Sequence, residues 1–334
     1  MADETTVEEQ DETPRPKKRR WRRRLAWLAV AVLVLLVAGE LFARFYLGLG
    51  DPPLSEADSK IEYLFKPDQD CHRFGHHIHY NHYSMRSEDF PQHKSKPDEL
   101  RVMVVGDSVV NGGVLTDQSE LATTILEKKL AEDLKRPVVV GNISAGSWGP
   151  PNELAYLQRF GLFDADVLVI VLSSHDYADV PTFTPVVGTR AYPDHKPLLA
   201  LWEGFDRYVI PKFEKKKEAN EGFVAATEPA KEADVRASMA ALREMIEMGR
   251  SKGAKVIVAQ HLEQKETLAS PLLGHEVIKH EAMQDGLTPI ELGKAFAAAR
   301  ARGEEPYRDP IHPNPVGQRE IAGALAPAIE AAVK

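Results

Sequence analysis

A nearly unbroken apolar run in the middle of the chain limits its folds more than any other feature. Residues 165–172 contain a single charged residue, Asp166, and are otherwise apolar. A strand of this composition is apolar on both faces, which is typical of a parallel sheet covered by helices on both sides. The run therefore predicts the inner strand of an α/β sandwich.

Similar short runs recur along the chain and alternate with segments of helical periodicity. Strands are predicted at 101–106, 137–144, 165–172 and 254–260, with a weak fifth at 287–292. Helices are predicted at 119–134, 152–160, 233–251 and 315–333, the last with Asn314 as its N-cap and Pro315 in its first turn. This alternation predicts a parallel α/β domain over residues 101–334.

The N-terminus carries a different signal, a long apolar segment behind a basic cluster. Residues 1–24 are predicted to form a disordered tail, acidic at first and basic from Arg15 onward. Residues 25–47 are long enough for a transmembrane anchor if Glu40 and Arg44, four residues apart, pair at the far interface. The basic cluster then stays cytoplasmic, which puts the remainder of the chain outside the cytoplasm.

A cleaved signal peptide is the alternative to this anchor. The apolar core of residues 25–39 has the upper length of a signal sequence, and Val37-Ala38-Gly39 resembles a cleavage site. The long basic region and the continuation of the helix pattern past Glu40 favour the uncleaved anchor, embedded in the cell membrane as a single pass.

Charge and cysteine content exclude several classes of protein. The net charge is −8 although basic residues crowd the first 24 positions, so the main domain is acidic and no nucleic-acid partner is expected. Cys71 is the single cysteine, which excludes an intramolecular disulfide and a cysteine-based metal site.

Residues 48–100 are interpreted as an extracytoplasmic connecting region. It holds a histidine-rich run, in which a short strand at 77–83 would place His77, His79 and Asn81 on one face and His76 and His82 on the other. The favoured interpretation is a polar strand beside the domain. A zinc site, with a third ligand from elsewhere, is the alternative.

Residues 178–232 interrupt the alternation and are interpreted as an insertion after the third strand. Loops at the carboxyl ends of parallel strands border ligand sites, so the insertion either shapes the substrate site or is a surface excursion. Its aromatic residues are expected to pack a small core of their own, with stacking on sugar rings as the alternative: Tyr192, Trp202, Phe205 and Tyr208. After the anchor there is no long apolar stretch that would indicate a lipid-binding lid.

Two segments at opposite ends of the domain carry the chemistry. The first strand runs into Gly106-Asp107-Ser108, which places a serine at the edge of the sheet. Near the C-terminus, Asp309 and His312 are three residues apart, so that one turn can bring the carboxylate to Nδ1 of the imidazole. Each segment alone is also compatible with ordinary turn or helix-entrance sequence.

Together the two segments resemble the SGNH (GDSL) hydrolase family. A strand ending in Gly-Asp-Ser and a late Asp-x-x-His-Pro-Asn-x-x-Gly stand here in the family's order, over about residues 101–334. The resemblance implies a three-layer α/β/α sandwich with a five-stranded parallel sheet, and ester chemistry without a metal or other cofactor. It implies that Ser108 is the nucleophile, that His312 and Asp309 complete a triad, and that the Ser108 N–H helps to bind the oxyanion.

The family's two middle blocks match less closely. After the second strand, Gly146 is expected to supply an oxyanion N–H, with Ser147 or Gly149 as alternatives. After the third strand, His175 stands where the family has an oxyanion asparagine, and an imidazole N–H is able to donate the same bond. His175 and Asp176 alternatively form a polar pair that shapes the loop.

Three further residues, Asp107, Asp176 and His261, are predicted as candidate substrate contacts, although His261 is equally compatible with a satisfied position at a strand end. The favoured function is an extracytoplasmic serine esterase acting on O-acyl esters of carbohydrate or lipid. An O-acyltransferase with a sugar hydroxyl as acceptor, and a non-catalytic scaffold, are the alternatives.

Overall fold

The computed structural model of this chain describes residues 18–214 and 230–334. The predicted disordered tail falls largely outside the described residues, as does part of the predicted insertion. The strands are β1 Ser55–Asp58, β2 Glu62–Phe65, β3 Gln69–Arg73, β4 His76–Tyr80, β5 Leu100–Gly106, β6 Val138–Ser144, β7 Val167–Ser173, β8 Lys255–His261 and β9 Ile290–Glu291. The helices are α1 Lys18–Phe45, α2 Ser108–Asn111, α3 Ala122–Leu134, α4 Pro150–Phe160, α5 Ala200–Gly204, α6 Ile210–Glu214, α7 Glu232–Ser251, α8 Leu273–Gln284, α9 Leu292–Ala301 and α10 Pro315–Ala332.

The predicted α/β sandwich is confirmed. Strands β5 to β9 form one parallel sheet in the order β6-β5-β7-β8-β9. Helices α3, α9 and α10 cover one face, and α4, α7 and α8 cover the other. The chain leaves β5 toward one edge and later continues from β7 toward the opposite edge. The carboxyl ends of β5 and β7 therefore form the crevice where such sheets bind ligands.

The position of the central strand β7 explains why residues 165–172 are almost entirely apolar. Val169 packs into the core under α3 and α10, whereas its neighbour Ile170 packs into the core under α4 and α7. Every residue of β7 is buried, because successive side chains of a strand enter opposite layers.

Two of the helices that cover the sheet, α8 and α9, were not predicted from the sequence. Each has a glycine in its first turn, Gly274 or Gly293, which weakens the helical pattern. The predicted fifth strand exists only as the two residues of β9, which lie directly before α9.

The connecting region is folded against the domain as two antiparallel hairpins, β1–β2 and β3–β4. Ile61, Tyr63 and Met85 are fully buried in the same core as β5 and β7. The strand predicted at 77–83 begins at His76 and ends at Tyr80.

Helix α1 has the length and composition of a membrane span. The most apolar 18-residue window of its segment Arg20–Phe45 has a mean hydropathy of 2.5, and none of that window is buried within the protein. A signal sequence meets the same two criteria. The predicted pair on this helix is confirmed, with Arg44 Nη2 at 2.9 Å from Glu40 Oε1.

The end of α1 is joined directly to the domain. The Leu49 N–H donates to the Ala43 carbonyl, and the Phe74 N–H donates to the Leu47 carbonyl, each at 2.9 Å. Between them Gly48 has a φ of +68°, and a Cβ there would lie 1.9 Å from the His72 carbonyl oxygen. Only glycine fits this approach, so the junction is a packed corner instead of a linker.

The insertion is partly helical, with α5 and α6 joined by a π-helical turn over Phe205–Val209. The prediction that its aromatic residues pack a core of their own is wrong for Trp202 and Phe205, which are 57% and 48% exposed. Tyr208 contacts the Phe74 ring of the connecting region, and Tyr192 contacts the Tyr63 ring.

Candidate active site

Ser108 stands immediately after β5 and begins the short helix α2. Asp107 caps this helix by accepting a hydrogen bond from the Val109 N–H at 2.8 Å. A Cβ on Gly106 would lie 2.6 Å from the Val110 side chain and 2.9 Å from the Val171 carbonyl. Glycine is therefore required for the chain to turn here and present Ser108, half-buried, at the crevice between β5 and β7.

The structure brings Ser108, His312 and Asp309 into one hydrogen-bonded chain. His312 Nε2 lies 2.9 Å from Ser108 Oγ, and His312 Nδ1 lies 2.8 Å from Asp309 Oδ2. This arrangement fixes the imidazole tautomer with the proton on Nδ1, because only Nδ1 faces a carboxylate. Nε2 is then free to accept the Ser108 proton.

Asp309 is held in its ionised form. Partial burial would raise the pKa of Asp309, but hydrogen bonds from the His312 and Ile311 N–H groups and from the imidazole outweigh it and lower the pKa. The carboxylate therefore stays charged at neutral pH, as orientation of His312 requires.

The loop that carries His312 is fixed from three directions. Asn314 caps α10, as predicted, by accepting hydrogen bonds from the Val316 and Gly317 N–H groups at 2.8 and 3.1 Å. Arg308 donates to the Gly112 carbonyl at 2.9 Å, which ties the loop to the end of α2. His261 Nε2 lies 2.8 Å from the Ile311 carbonyl oxygen.

The predicted substrate contacts are all buried. The exposures of Asp107, Asp176 and His261 are 1% or less, so none of them meets solvent in this structure. His261 instead supports the loop that carries His312, and burial lowers the pKa of His261 to about 4, which keeps the imidazole neutral. Asp107 and Asp176 lie beside His175.

Three of the four candidate backbone donors for the oxyanion are available. Among the described residues, no oxygen accepts from the N–H of Ser108, Gly146 or Ser147. The Gly146 carbonyl accepts from Tyr63 Oη at 2.5 Å, which anchors its turn. The alternative donor Gly149 is engaged, because its N–H donates to Asn152 Oδ1 at 3.1 Å.

His175 lies among carboxyl groups, with 28% of its side chain exposed. Its Nε2 is 3.3 Å from Asp107 Oδ2 and 3.5 Å from Asp176 Oδ1, and its Nδ1 is 3.7 Å from Glu263 Oε1. Burial would lower the pKa of His175, but the neighbouring acids Asp176, Asp107 and Glu263 outweigh burial and raise it well above the ordinary value. Burial in turn raises the pKa of Asp176 well above its ordinary value, although His175 acts against this rise. His175 is an imidazolium at neutral pH.

One imidazolium cannot keep all the surrounding acids ionised. Contact with His175 outweighs burial and lowers the pKa values of Asp107 and Glu263. Burial dominates at Glu153 and raises its pKa well above the ordinary value, and neither carboxyl oxygen of Glu153 has a partner among the described residues. Burial likewise raises the pKa of Asp179 to about 6.

Sequence reasoning missed three members of this acid cluster, Glu153, Asp179 and Glu263. Glu153 belongs to the first turn of α4, where an acidic residue is ordinary helix composition. Glu263 follows β8 two residues after His261. Of the three residues, only Glu263 had a position that could have indicated a place in the site. Strands β7 and β8 are adjacent and parallel, so their carboxyl ends meet at the same edge of the sheet.

Two groups of described residues have ligand atoms close enough to hold a cation. One is Asp107, His175 and Asp176, already joined by ion pairs. The other follows from the histidine run, where His77 and His79 share a face and Asp70 lies opposite on β3. The nearest carboxylate oxygens are 3.2 Å from His77 Nε2 and 3.6 Å from His79 Nδ1. Ion pairs between histidine and aspartate account for both groups.

The sequence matches the model of the GDSL-like lipase/acylhydrolase family over residues 104–320. No curated protein sequence matches the chain. Similar solved structures include a lipolytic protein of the G-D-S-L family from Veillonella parvula, at 14% identity and a TM-score of 0.41, covering 69% of this chain and 97% of that one. A lipase/acylhydrolase from Enterococcus faecalis is 15% identical, with a TM-score of 0.43 and coverage of 70% and 96%. A catalytic mutant of an acetylxylan esterase from Geobacillus stearothermophilus is 14% identical, with a TM-score of 0.41 and coverage of 71% and 95%.

Proposed function

The chain belongs to the GDSL-like lipase/acylhydrolase family and is an ester-bond hydrolase, and from that premise we propose that Ser108, His312 and Asp309 are its catalytic triad. The observation that carries the proposal is the continuous hydrogen-bonded chain from Ser108 Oγ through both nitrogens of His312 to the Asp309 carboxylate. Each member has the partner its role requires: a base for the nucleophile and an orienting anion for the base.

The reaction proceeds through a covalent acyl-serine. His312 Nε2 takes the Ser108 hydroxyl proton as Oγ bonds to the ester carbon, and the carbonyl electrons move onto oxygen. When the carbonyl re-forms, the ester C–O bond breaks and His312 gives its proton to the leaving alcohol. Water then attacks the acyl-serine and gives a proton to His312, which returns it to Ser108 as the acid departs.

The oxyanion receives hydrogen bonds from the N–H groups of Ser108 and Gly146, in this proposal. Both donors are free of other acceptors among the described residues, so binding the oxyanion breaks no existing bond. His175 is the third donor in this proposal, in the place of the family's asparagine, and for this one ring N–H must turn from its carboxylate neighbours toward the oxyanion. An imidazolium donates a stronger hydrogen bond than a neutral amide, and its charge also stabilises the developing anion.

The enzyme works at a membrane, outside the cytoplasm. Helix α1 supports this part of the proposal by its length and apolar composition, and the basic residues before it support a cytoplasmic N-terminus. The substrate is an O-acyl ester of carbohydrate or lipid that reaches the crevice above β5 and β7.

The test measures hydrolysis of a short p-nitrophenyl ester by the full chain in lipid nanodiscs. Ser108→Ala is expected to lower kcat by about 10⁴-fold or more, because the nucleophile is lost. Ser251→Ala, at the exposed end of α7, is the matched serine control and keeps full activity. A fluorophosphonate probe labels the parent protein and the control but not Ser108→Ala.

Unchanged hydrolysis by Ser108→Ala would remove Ser108 as the nucleophile. A parallel assay with an oligosaccharide acceptor separates hydrolysis from acyl transfer. Release of acid at the same rate with and without the acceptor supports the hydrolase.

A further inference from the structure

Residues 198–213 of the insertion, which include α5, the π-helical turn and most of α6, have the reverse orientation of an amphipathic helix in a soluble domain. Of the charged residues in this segment, Glu203 faces inward and is 4% exposed. Glu203 Oε1 is 2.7 Å from Arg73 Nη2, itself almost completely buried, and Glu203 Oε2 accepts from the Gly50 N–H at 2.5 Å. A buried ion pair therefore clamps the polar side of this segment to the domain.

The opposite side of the segment is apolar and exposed. Large apolar residues recur there every three or four positions, which places them on one stripe. The stripe consists of Leu198, Leu201, Trp202, Phe205, Val209 and Phe213. Leu198 and Phe213, at its two ends, are 91% and 76% exposed. In a soluble domain these side chains would face the core, so their position indicates an apolar partner.

The stripe is continuous with helix α1. The Ala200 and Leu201 N–H groups donate to the two oxygens of Glu40 at 2.8 and 2.9 Å. Arg44 Nη2, paired with Glu40, also donates to the Leu198 carbonyl at 3.1 Å. Between α1 and the insertion lies a cleft of about 440 Å³, whose lining is apolar except for Glu40.

The contact lies at a definite height along α1. Residues 25–45 form a helix of about 31 Å, close to the hydrocarbon thickness of a bilayer. The cleft is lined by Leu36, Val37 and Leu41. These residues lie roughly 16–24 Å from the cytoplasmic end of that segment, in the outer half of a membrane that α1 crosses.

We propose that residues 198–213 lie in the outer leaflet of that membrane, where the acyl chains of lipids cover the stripe and fill the cleft. The inference rests on the proposed membrane span of α1. It also accounts for Glu40, because an acidic side chain at this depth requires partners, and Arg44 and two backbone N–H groups supply them. The protein thus has a second membrane contact, formed by the hydrolase domain itself.

Trp202 serves as the probe of the first test. In the double variant Trp21→Phe, Trp27→Phe, the remaining tryptophans are Trp148, which is 1% exposed in the core, and Trp202 on the stripe. The full chain is placed in nanodiscs made with phosphatidylcholine brominated on its acyl chains, or with the unbrominated lipid. Bromine quenches tryptophan on contact, so we expect about a two-fold loss of the Trp202 emission in the brominated discs.

The matched control adds Trp202→Phe to the same background. It leaves only Trp148, whose emission is expected to be the same in both lipids. Equal emission from Trp202 in both lipids would overturn the inference while leaving the membrane span intact. A chain that does not enter nanodiscs would overturn the proposed span and this inference together, so the two failures are distinguishable.

A charge placed on the stripe provides the second test. Phe205→Glu is expected to abolish the difference between the two lipids, because a carboxylate draws the segment out of the hydrocarbon. Met283→Glu, at an exposed apolar residue of α8 away from the stripe, is expected to keep the two-fold difference. Both variants keep the parent's unfolding temperature and its hydrolysis of a water-soluble ester. Persistent quenching in Phe205→Glu would contradict lipid contact at the stripe.

Discussion

The two histidines that contact Asp107-Ser108, namely His312 and His175, have opposite electrostatic surroundings. His312 has one carboxylate, Asp309, on Nδ1, and its Nε2 faces a neutral hydroxyl. His175 has carboxylates near both nitrogens and remains an imidazolium. The first arrangement allows a proton to be taken up and returned, whereas the second holds a proton in place. One crevice therefore contains a histidine suited to proton transfer and another suited to supplying a permanent positive charge.

The largest effect is expected from replacing His312, the histidine suited to proton transfer. His312→Ala removes the only base within reach of Ser108 Oγ among the described residues, so kcat should fall by about 10⁴-fold or more. Fluorophosphonate labelling of Ser108 should slow in parallel. His280→Ala, at an exposed histidine of α8, is the control and should retain the parent rate. If the kcat of His312→Ala stayed within ten-fold of the parent value, His312 would not be the proton-transferring histidine.

The next largest effect is expected from replacing His175, the histidine that keeps its proton. His175→Ala should lower kcat by about 10²–10³-fold, because one oxyanion donor and its charge are lost. It should also lower the free energy of unfolding by on the order of 3 kcal/mol, since Asp107 and Glu263 lose their counterion. Kinetics and urea unfolding measure the two effects separately.

His175→Asn sharpens the same comparison, because it restores an N–H donor without the charge. Its kcat should exceed that of His175→Ala, whereas its stability should remain low. Activity within two-fold of the parent in both variants would exclude His175 from the oxyanion site.

A smaller effect is expected from the support beneath the triad loop. His261→Phe keeps the ring contacts with Phe296 and Tyr307 but leaves the Ile311 carbonyl unpaired, which should cost about 1–3 kcal/mol of stability at pH 7.5. In the parent, His261 binds a proton near pH 6.5 when unfolded but only near pH 4 when folded.

Stability from the neutral His261 is therefore present above pH 6.5 and is lost as the pH falls toward 4. His261→Phe does not lose stability in this way. The difference in the free energy of unfolding between parent and variant should therefore become smaller from pH 6.5 to pH 4, as measured by urea unfolding. A gap that widens toward pH 4 would contradict burial of a neutral His261.

The smallest effect is expected from Asp179 in the acid cluster, whose contribution to stability depends on pH in the opposite direction to that of His261. Asp179 has an ordinary pKa of 3.8 and a folded pKa of about 6, so the folded protein loses stability as the pH rises between those values. Asp179→Asn should remove this slope, which is at most about 1.4 kcal/mol per pH unit for one group. Unfolding of parent and variant at pH 4, 5 and 6 measures it, and parallel pH profiles would contradict the raised pKa.

The sheet and the contact between Asp309 and His312 were predictable because both depend on local sequence. Strand β7 is marked by its own apolar run, and the contact between Asp309 and His312 needs only a spacing of three residues. The prediction that Ser108 joins this pair came from the family resemblance, which rests on the order of Gly106-Asp107-Ser108 and the Asp309–His312 segment along the chain. Ser108 and His312 meet because Arg308 and His261 hold the loop before α10 against the end of α2.

The acid cluster and the inverted insertion were not predictable because each depends on partners distant in sequence. Glu153 approaches Asp176 and Asp107, and Glu263 approaches His175, only when the chain has folded. The apolar spacing from Leu198 to Phe213 was visible, but such a pattern predicts a face turned to the core. Only the buried pair of Glu203 with Arg73 determines that the apolar face turns outward.

In the proposed membrane topology, the packed corner at Gly48 joins the span α1 to the hydrolase domain without a linker. A transmembrane helix accommodates a bilayer thinner than its apolar length by tilting. Because the chain after Phe45 packs against the domain at this corner, tilting of the span would rotate the domain, and the crevice above Ser108 with it. Bilayer thickness would then set the direction in which Ser108 points, and lipid composition would control which esters lie within its reach.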